Sequence, residues 1–150
     1  KGRKAEFAAF HAFGEAPDPQ SVDTFKNSKL QWNTIENEPH KTMLAFYKEF
    51  IKLRKSHPAL RNLNRENLTA ECKESDQTLT IERWHEGTHV WCIMNFSNQK
   101  KQIAVPTGRW EQILNSADPK WKGPASAPQI LEKDNEITVQ PESIVLYKNA

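Results

Sequence analysis

Apolar residues recur along this chain with two different periods. Between Glu38 and Leu60 the spacing is helical: Met43, Leu44, Phe46, Tyr47, Phe50, Ile51 and Leu53 form one broad stripe, and Lys41, Lys48, Glu49, Lys52 and Lys55 ring the remainder. Pro39 suits an early helical position, where its missing N–H costs nothing, and Glu36 and Glu38 sit beside the positive end of the helix dipole. Arg54 and Lys55 complement the last carbonyls, and Pro58 disfavours helical geometry at His57. The whole stripe is expected to be buried, and a helix this apolar needs a large partner.

After Leu60 the period changes to two. Leu68, Ala70 and Cys72 alternate with polar residues, as do Leu79 and Ile81 within Thr78–Trp84, and Val90, Cys92, Met94 and Phe96 within His89–Phe96. Ile103 with Val105, Trp110–Leu114, Ile137–Val139 and Ile144–Tyr147 continue the series. Glu74-Ser-Asp-Gln, Glu86-Gly87, Ser97-Asn98 and Pro106-Thr-Gly108 supply the turns, and a Pro/Ala/Ser-rich loop runs from Asp118 to Pro128. Short strands with frequent turns predict an antiparallel sandwich. The expected fold is therefore α+β, helices followed by an all-β sandwich, with a boundary dividing 1–62 from 63–150.

The first part of the chain is less regular. Phe7, Ala8 and Phe10 predict a helix within Lys1–Phe13 that Gly14 ends, and Pro17, Asp18 and Pro19 predict a loop. Ser21–Leu30 reads as a short helix capped by Ser21 or Asp23, with Phe25 and Leu30 facing inward and Trp32 anchoring a polar link to the main helix.

Composition narrows the function by exclusion. The chain has 150 residues, 37% of them hydrophobic, and 21 basic side chains are interleaved with 19 acidic ones for a net charge of +2, so no nucleic-acid or membrane-binding footprint is seen. Lys1 and Lys4 lie on what reads as a solvated face. No apolar run approaches the roughly twenty residues that span a bilayer, and no secretory h-region follows the N-terminus. Cys72 and Cys92 fall in strand-like runs and read as buried free thiols of a reducing compartment, with a cytoplasmic location expected. Lys1 rather than Met opens the chain, which reads as a segment of a longer polypeptide.

Local chemistry is sparse. His85-Glu86-Gly87-Thr88-His89 matches H-E-x-x-H, which places two imidazoles on one zinc only when the motif is helical. Gly87 and the period-two flanks predict a hairpin turn instead, leaving for zinc only a non-helical site that recruits Cys92. His57 reads as a capping or packing residue and His40 as a first-turn surface residue, while His11 has no partner at a readable spacing. Glycine-rich phosphate loops and a G-x-S-x-G elbow are missing. Asp18, Asp23, Asp76, Asp118 and Asp134 lie in polar turns where a solvated carboxylate is the default. No catalytic, cofactor-binding or metal-binding residue is assigned, and no cofactor is expected.

One run resembles a known family. Tyr47-Lys-Glu-Phe-Ile-Lys-Leu-Arg-Lys-Ser-His-Pro-Ala-Leu60 is similar to the segment that closes the catalytic barrel in the α-amylase clan of glycoside hydrolases. Gly2–Phe10, Pro17–Gln20, Thr24-Phe25 and Ser28–Trp32 resemble, within that clan, the maltooligosyl trehalose trehalohydrolases. The resemblance implies that residues 1–62 end a (β/α)8 barrel and that 63–150 form the C-terminal sandwich. The clan's nucleophile, general acid and stabilising carboxylate would all precede Lys1. It further implies an α-glucan substrate, maltooligosyl trehalose, cleaved with retention to release trehalose, and the rest of the barrel as the packing partner. The loop from Phe10 to Trp32 would lie at the active-site rim. Two other readings are a carbohydrate-binding module using Trp84, Trp91, Trp110 and above all a loop-exposed Trp121, and a segment of a branching or debranching enzyme of the clan, which would lack the Pro17–Trp32 run.

Overall fold

The computed structural model describes residues 17–132 and 136–149. The helix expected within Lys1–Phe13, Gly14, His11 and Asp134 lie outside the described residues. Residues 1–36 and 37–150 form two compact units, so the main helix groups with the strands rather than with the residues before it.

In the first unit Ser21 caps helix α1 (Val22–Asn27), its Oγ accepting the Asp23 N–H at 3.2 Å. A 3-10 turn follows at Trp32–Thr34. Phe25 and Leu30 do not face inward, and Trp32 does not anchor the link: all three are exposed, since the six-residue helix and the turn after it are too short to bury them against one another.

In the second unit the main helix ends where Pro58 was expected to end it, and a short helix follows. Helix α2 spans His40–Ser56, His57 turns extended at φ −80° and ψ 124°, and α3 resumes over Pro58–Arg61. Pro58 causes the break, since its ring bars the helical region to His57 while its fixed φ suits a first helical position. Eight strands follow among the described residues: β1 Leu68–Lys73, β2 Thr78–His85, β3 Thr88–Asn95, β4 Lys101–Ala104, β5 Arg109–Asn115, β6 Ile130–Glu132, β7 Glu136–Val139 and β8 Ser143–Asn149. They make a six-stranded sheet in the order β1-β2-β3-β8-β5-β6 and a two-stranded sheet β4-β7, every pairing antiparallel.

The last strand, β8, sits at the centre of the large sheet, and each of its faces meets a different layer. Inward, Trp91, Ile93, Trp110, Val145 and Tyr147 pack against Ile137 and Val139 of the small sheet. Outward, Val90, Leu114 and Leu146 meet Phe46, Phe50, Leu53, Ala59 and Leu60 of the helices. Each fully buried large side chain among them, such as Ile93, Leu114 or Ile137, contributes about 1.5–3 kcal/mol. Coverage on both faces explains why Val90 and Trp91, consecutive on β3, are both buried. Strand β1 is an edge, and its outer side is open along its whole length.

Asn95 closes one end of the sandwich. Its side-chain N–H groups donate to the carbonyls of Gln99, Val139 and Gln140, and its Oδ1 accepts the N–H and hydroxyl of Ser97, so this buried amide is fully satisfied.

Candidate functional site

The main helix presents two apolar faces, and the sheet takes only one of them. Phe46, Phe50 and Leu53 lie against the sheet, whereas Met43, Tyr47 and Ile51, one turn apart along the next stripe, are 54%, 60% and 51% exposed. The expected burial of the whole stripe is thus corrected: the sheet offers α2 one apolar surface, and a helix has a second side. Beneath α2 lies an apolar cavity of about 210 Å3 lined by Leu53, Ile81, Cys92 and Met94.

The segment after β5 locks the start of the helix in place. Asn115 Oδ1 accepts the Ala117 N–H, Asp118 caps a 3-10 turn over Pro119–Trp121, and Ala125 donates back to the Ala117 carbonyl. Gly123 passes so close to Ala117 that an added Cβ would lie 2.2 Å from its carbonyl, which requires glycine there. This loop holds Trp121 edge-on to Phe46 with ring centroids 5.3 Å apart, and Lys120 lies over the indole. Lys122 pairs at 3.0 Å with Glu38, which also accepts the Thr42 hydroxyl, and these hydrogen bonds lower the Glu38 pKa. The expected exposed sugar platform at Trp121 is therefore corrected: its indole N–H is buried without a partner, and the ring belongs to the helix seam.

The other residues singled out from the sequence are dispersed. Glu86 and Gly87 form a two-residue turn with φ of 47° and 80°, so H-E-x-x-H is a hairpin. His89 lies opposite Trp84, while His85, one residue further along β2, takes the other face. His89 Nδ1 is 3.0 Å from Glu82, and His85 contacts Asn62. Among the described residues no group of three or more His, Cys, Asp or Glu side chains is arranged to hold a metal.

Asp18 bonds its own turn, Asp23 opens α1, Asp76 meets Lys101 at 3.4 Å and Asp118 caps the turn before Trp121, so these four carboxylates are spread along the chain. His40 is exposed at the first position of α2. His57 is half-buried where the helix breaks, its Nδ1 lacks a partner, and burial followed by the Lys148 charge lowers its pKa.

Cys92 is largely buried, and burial pushes its thiol up to about 12. Cys72 is exposed, contrary to the expected burial, because it lies on edge strand β1, all six residues of which are exposed. Phe96, continuing the β3 alternation, is likewise exposed at the strand end. Trp91 and Trp110 are core residues with centroids 6.0 Å apart, and Trp84 is half-buried.

One feature escaped the sequence reading altogether. The inward positions of β1 and β2 are polar, and they line an open trough of about 290 Å3 beside β4. The available signal was that Leu79 and Ile81 alternate outward, which commits Thr78, Thr80 and Glu82 to the inside.

A helix strapped across an antiparallel sandwich, with a second apolar face left over, defines an all-β domain carrying one helical layer. The chain belongs to the family described as alpha amylase, C-terminal all-beta domain, whose model matches residues 70–150. It is similar to malto-oligosyltrehalose trehalohydrolase of Deinococcus radiodurans, 45% identical over 116 residues, which are 76% of this chain and 15% of that protein. A protein of the same name from Arthrobacter ramosus is 47% identical over 60 residues, 39% of this chain and 10% of that protein. The chain thus spans well under a fifth of the length of these curated relatives.

Among solved structures, α-amylase from H. orenii superimposes with a TM-score of 0.60 at 15% identity, covering 92% of this chain and 26% of that one. The α-glucosyl transfer enzyme XgtA gives 0.52 at 22% identity over 71% of this chain and 18% of that one. At these identities the likeness is one of fold. No helix among the described residues is long and apolar enough to cross a membrane.

Proposed function

We propose that this chain is the C-terminal, non-catalytic segment of a trehalohydrolase. In this reading residues 1–62 end its (β/α)8 barrel and 63–150 form the sandwich that packs on the barrel and stabilises it. The whole enzyme hydrolyses the α-1,4 bond beside the trehalose end of maltooligosyl trehalose and releases trehalose, working in the cytoplasm in trehalose biosynthesis. The observation that carries the packing role is the stripe Met43, Tyr47 and Ile51, an apolar face on a helix whose other face is already occupied. Such a patch on an anchored helix marks a contact surface. The substrate follows from the name shared by the curated relatives.

The test has two arms. Trehalose release from maltooligosyl trehalose is measured for the intact polypeptide that carries this chain, and then with Met43, Tyr47 and Ile51 all changed to Ser. Release by the parent form, with a lower thermal inactivation temperature in the triple variant, supports the reading. Absence of trehalose among the products, or a triple variant as heat-resistant as the parent, counts against it.

A further inference from the structure

A sandwich interior is normally apolar, yet the inward face of β1 and β2 is not. Register sets Thr69 opposite Glu82, Glu71 opposite Thr80 and Lys73 opposite Thr78, and Glu82 lies opposite Trp91 on β3, so these residues share one face of the sheet. Over β3 and β8 that face is covered by the small sheet and buried. Over β1 and β2 the cover stops at β4, and the polar residues look into the open trough of about 290 Å3.

The lining has two parts. Ile103, Ala104 and Pro106 supply the apolar part, backed by the nearly buried Trp91. Thr69, Glu71, Thr80 and Glu82 make the other. The next inward position after Glu82 is Trp84, beyond the lining, whose ring stacks on His89 with centroids 6.1 Å apart and planes 23° from parallel.

We propose that this trough is a saccharide-binding site taking a short stretch of α-glucan. A pyranose ring has an apolar C–H face and a rim of hydroxyls that both donate and accept. The apolar side matches the face, the carboxylates accept from the rim, and the threonine hydroxyls do both. Two carboxylates face one ammonium, Lys73, which sits 3.6 Å from Glu71, so the lining carries net negative charge and disfavours an anion. Glu82 is held in place by His89 Nδ1 at 3.0 Å. The volume lies at the lower end of the roughly 300–1,000 Å3 usual for ligand pockets, which suits a short segment. The choice of α-glucan rests on the function proposed above, while the preference for a neutral, hydroxyl-rich ligand rests on the lining alone.

The test is an amide NMR titration of the 150-residue chain with maltotetraose and, in parallel, with the β-linked cellotetraose. Saturable shifts at Thr69, Glu71, Thr80 and Ala104 are expected with maltotetraose. Its Kd should rise at least tenfold in Glu71→Ala and in Thr80→Val, with thermal midpoints close to that of the parent chain. Glu71 sits on an exposed edge and Thr80→Val conserves shape, so neither change endangers the fold. Shifts that do not saturate, that map to the helix face, or that persist with unchanged Kd in both variants overturn the site. Equal affinity for cellotetraose overturns the α-glucan assignment. Trehalose release by the intact polypeptide is read separately, so its absence counts against the enzyme reading and leaves the binding result to stand or fall on the titration.

Discussion

Trp121 meets Phe46 edge to face at 5.3 Å, and through that contact a loop between two strands of the large sheet grips the first half of the main helix. The contact joins segments 75 positions apart in the sequence. The helix otherwise lies against the sheet through Phe46, Phe50 and Leu53.

Removing the indole should therefore loosen the helix. Trp121→Ala is expected to cost about 2–3 kcal/mol, below the range for a fully buried tryptophan because the ring is half-buried. That corresponds to a drop in thermal midpoint of about 5–10 °C for a chain of this size. Trp121→Phe keeps a ring and removes the buried, unpartnered N–H, so its cost should stay within about 1 kcal/mol. Thermal unfolding followed by circular dichroism ranks the two. Equal losses would show that the edge-to-face packing contributes nothing.

His57 makes stability depend on pH. Its folded pKa lies below 6.5 because burial, and then Lys148, disfavour the imidazolium. The unfolded chain therefore binds a proton at a pH where the folded chain does not. The histidine's contribution is present above pH 6.5 and is lost as the pH falls through that value towards the lower folded pKa. Thermal midpoints measured from pH 7.5 down to 5 should fall more steeply in the parent chain than in His57→Gln, which has no proton to gain. Parallel curves would sink this account.

How much of this was legible beforehand depended on how local the cause was. The break at His57 and the hairpin at Glu86-Gly87 were readable because Pro58 and Gly87 impose them on their immediate neighbours. Seven strands followed from period-two runs, whereas β6 at Ile130–Glu132 was missed: three residues are too few to show a period, and pairing with β5 alone defines them. The helix stripe was legible as apolar, but the division between Phe46, Phe50 and Leu53 inside and Met43, Tyr47 and Ile51 outside depends on where the sheet lies. Trp121 and Cys72 were misjudged for the same reason. Whether a loop folds onto a helix, or an edge strand is left uncovered, is decided by tertiary placement. The trough was hidden because polar inward residues read as outward ones until pairing fixes the face.

The amide of Asn95 offers a stricter test of packing against hydrogen bonding. It donates to three carbonyls and accepts twice from Ser97 while 1% exposed. Asn95→Ala leaves several of those groups buried without partners, at an expected cost of about 2–4 kcal/mol. Asn95→Asp keeps the shape but sets a carboxylate oxygen against the carbonyls of Gln99 and Gln140, and should be at least as damaging at pH 7. Chemical denaturation at fixed pH gives both values, and an Asp variant as stable as the parent chain would rule out this network as the clasp between β3 and β7.

The two thiols should react at very different rates. Cys72 is exposed on edge strand β1, whereas Cys92 lines the apolar cavity beneath α2 and burial holds its pKa at about 12. The thiolate is the reactive species, so at pH 8 Cys92 is both partly covered and almost wholly protonated. Treating the folded chain with excess iodoacetamide and counting adducts by mass spectrometry should give one rapid modification, mapped to Cys72, and a second only under denaturing conditions. Because Phe50, Leu53 and Leu60 of the helices line the same cavity as Cys92, loosening α2 with Trp121→Ala should speed its modification and leave the Cys72 rate unchanged. A Cys92 rate indifferent to Trp121 would mean that the thiol is exposed by some other motion of the sheet.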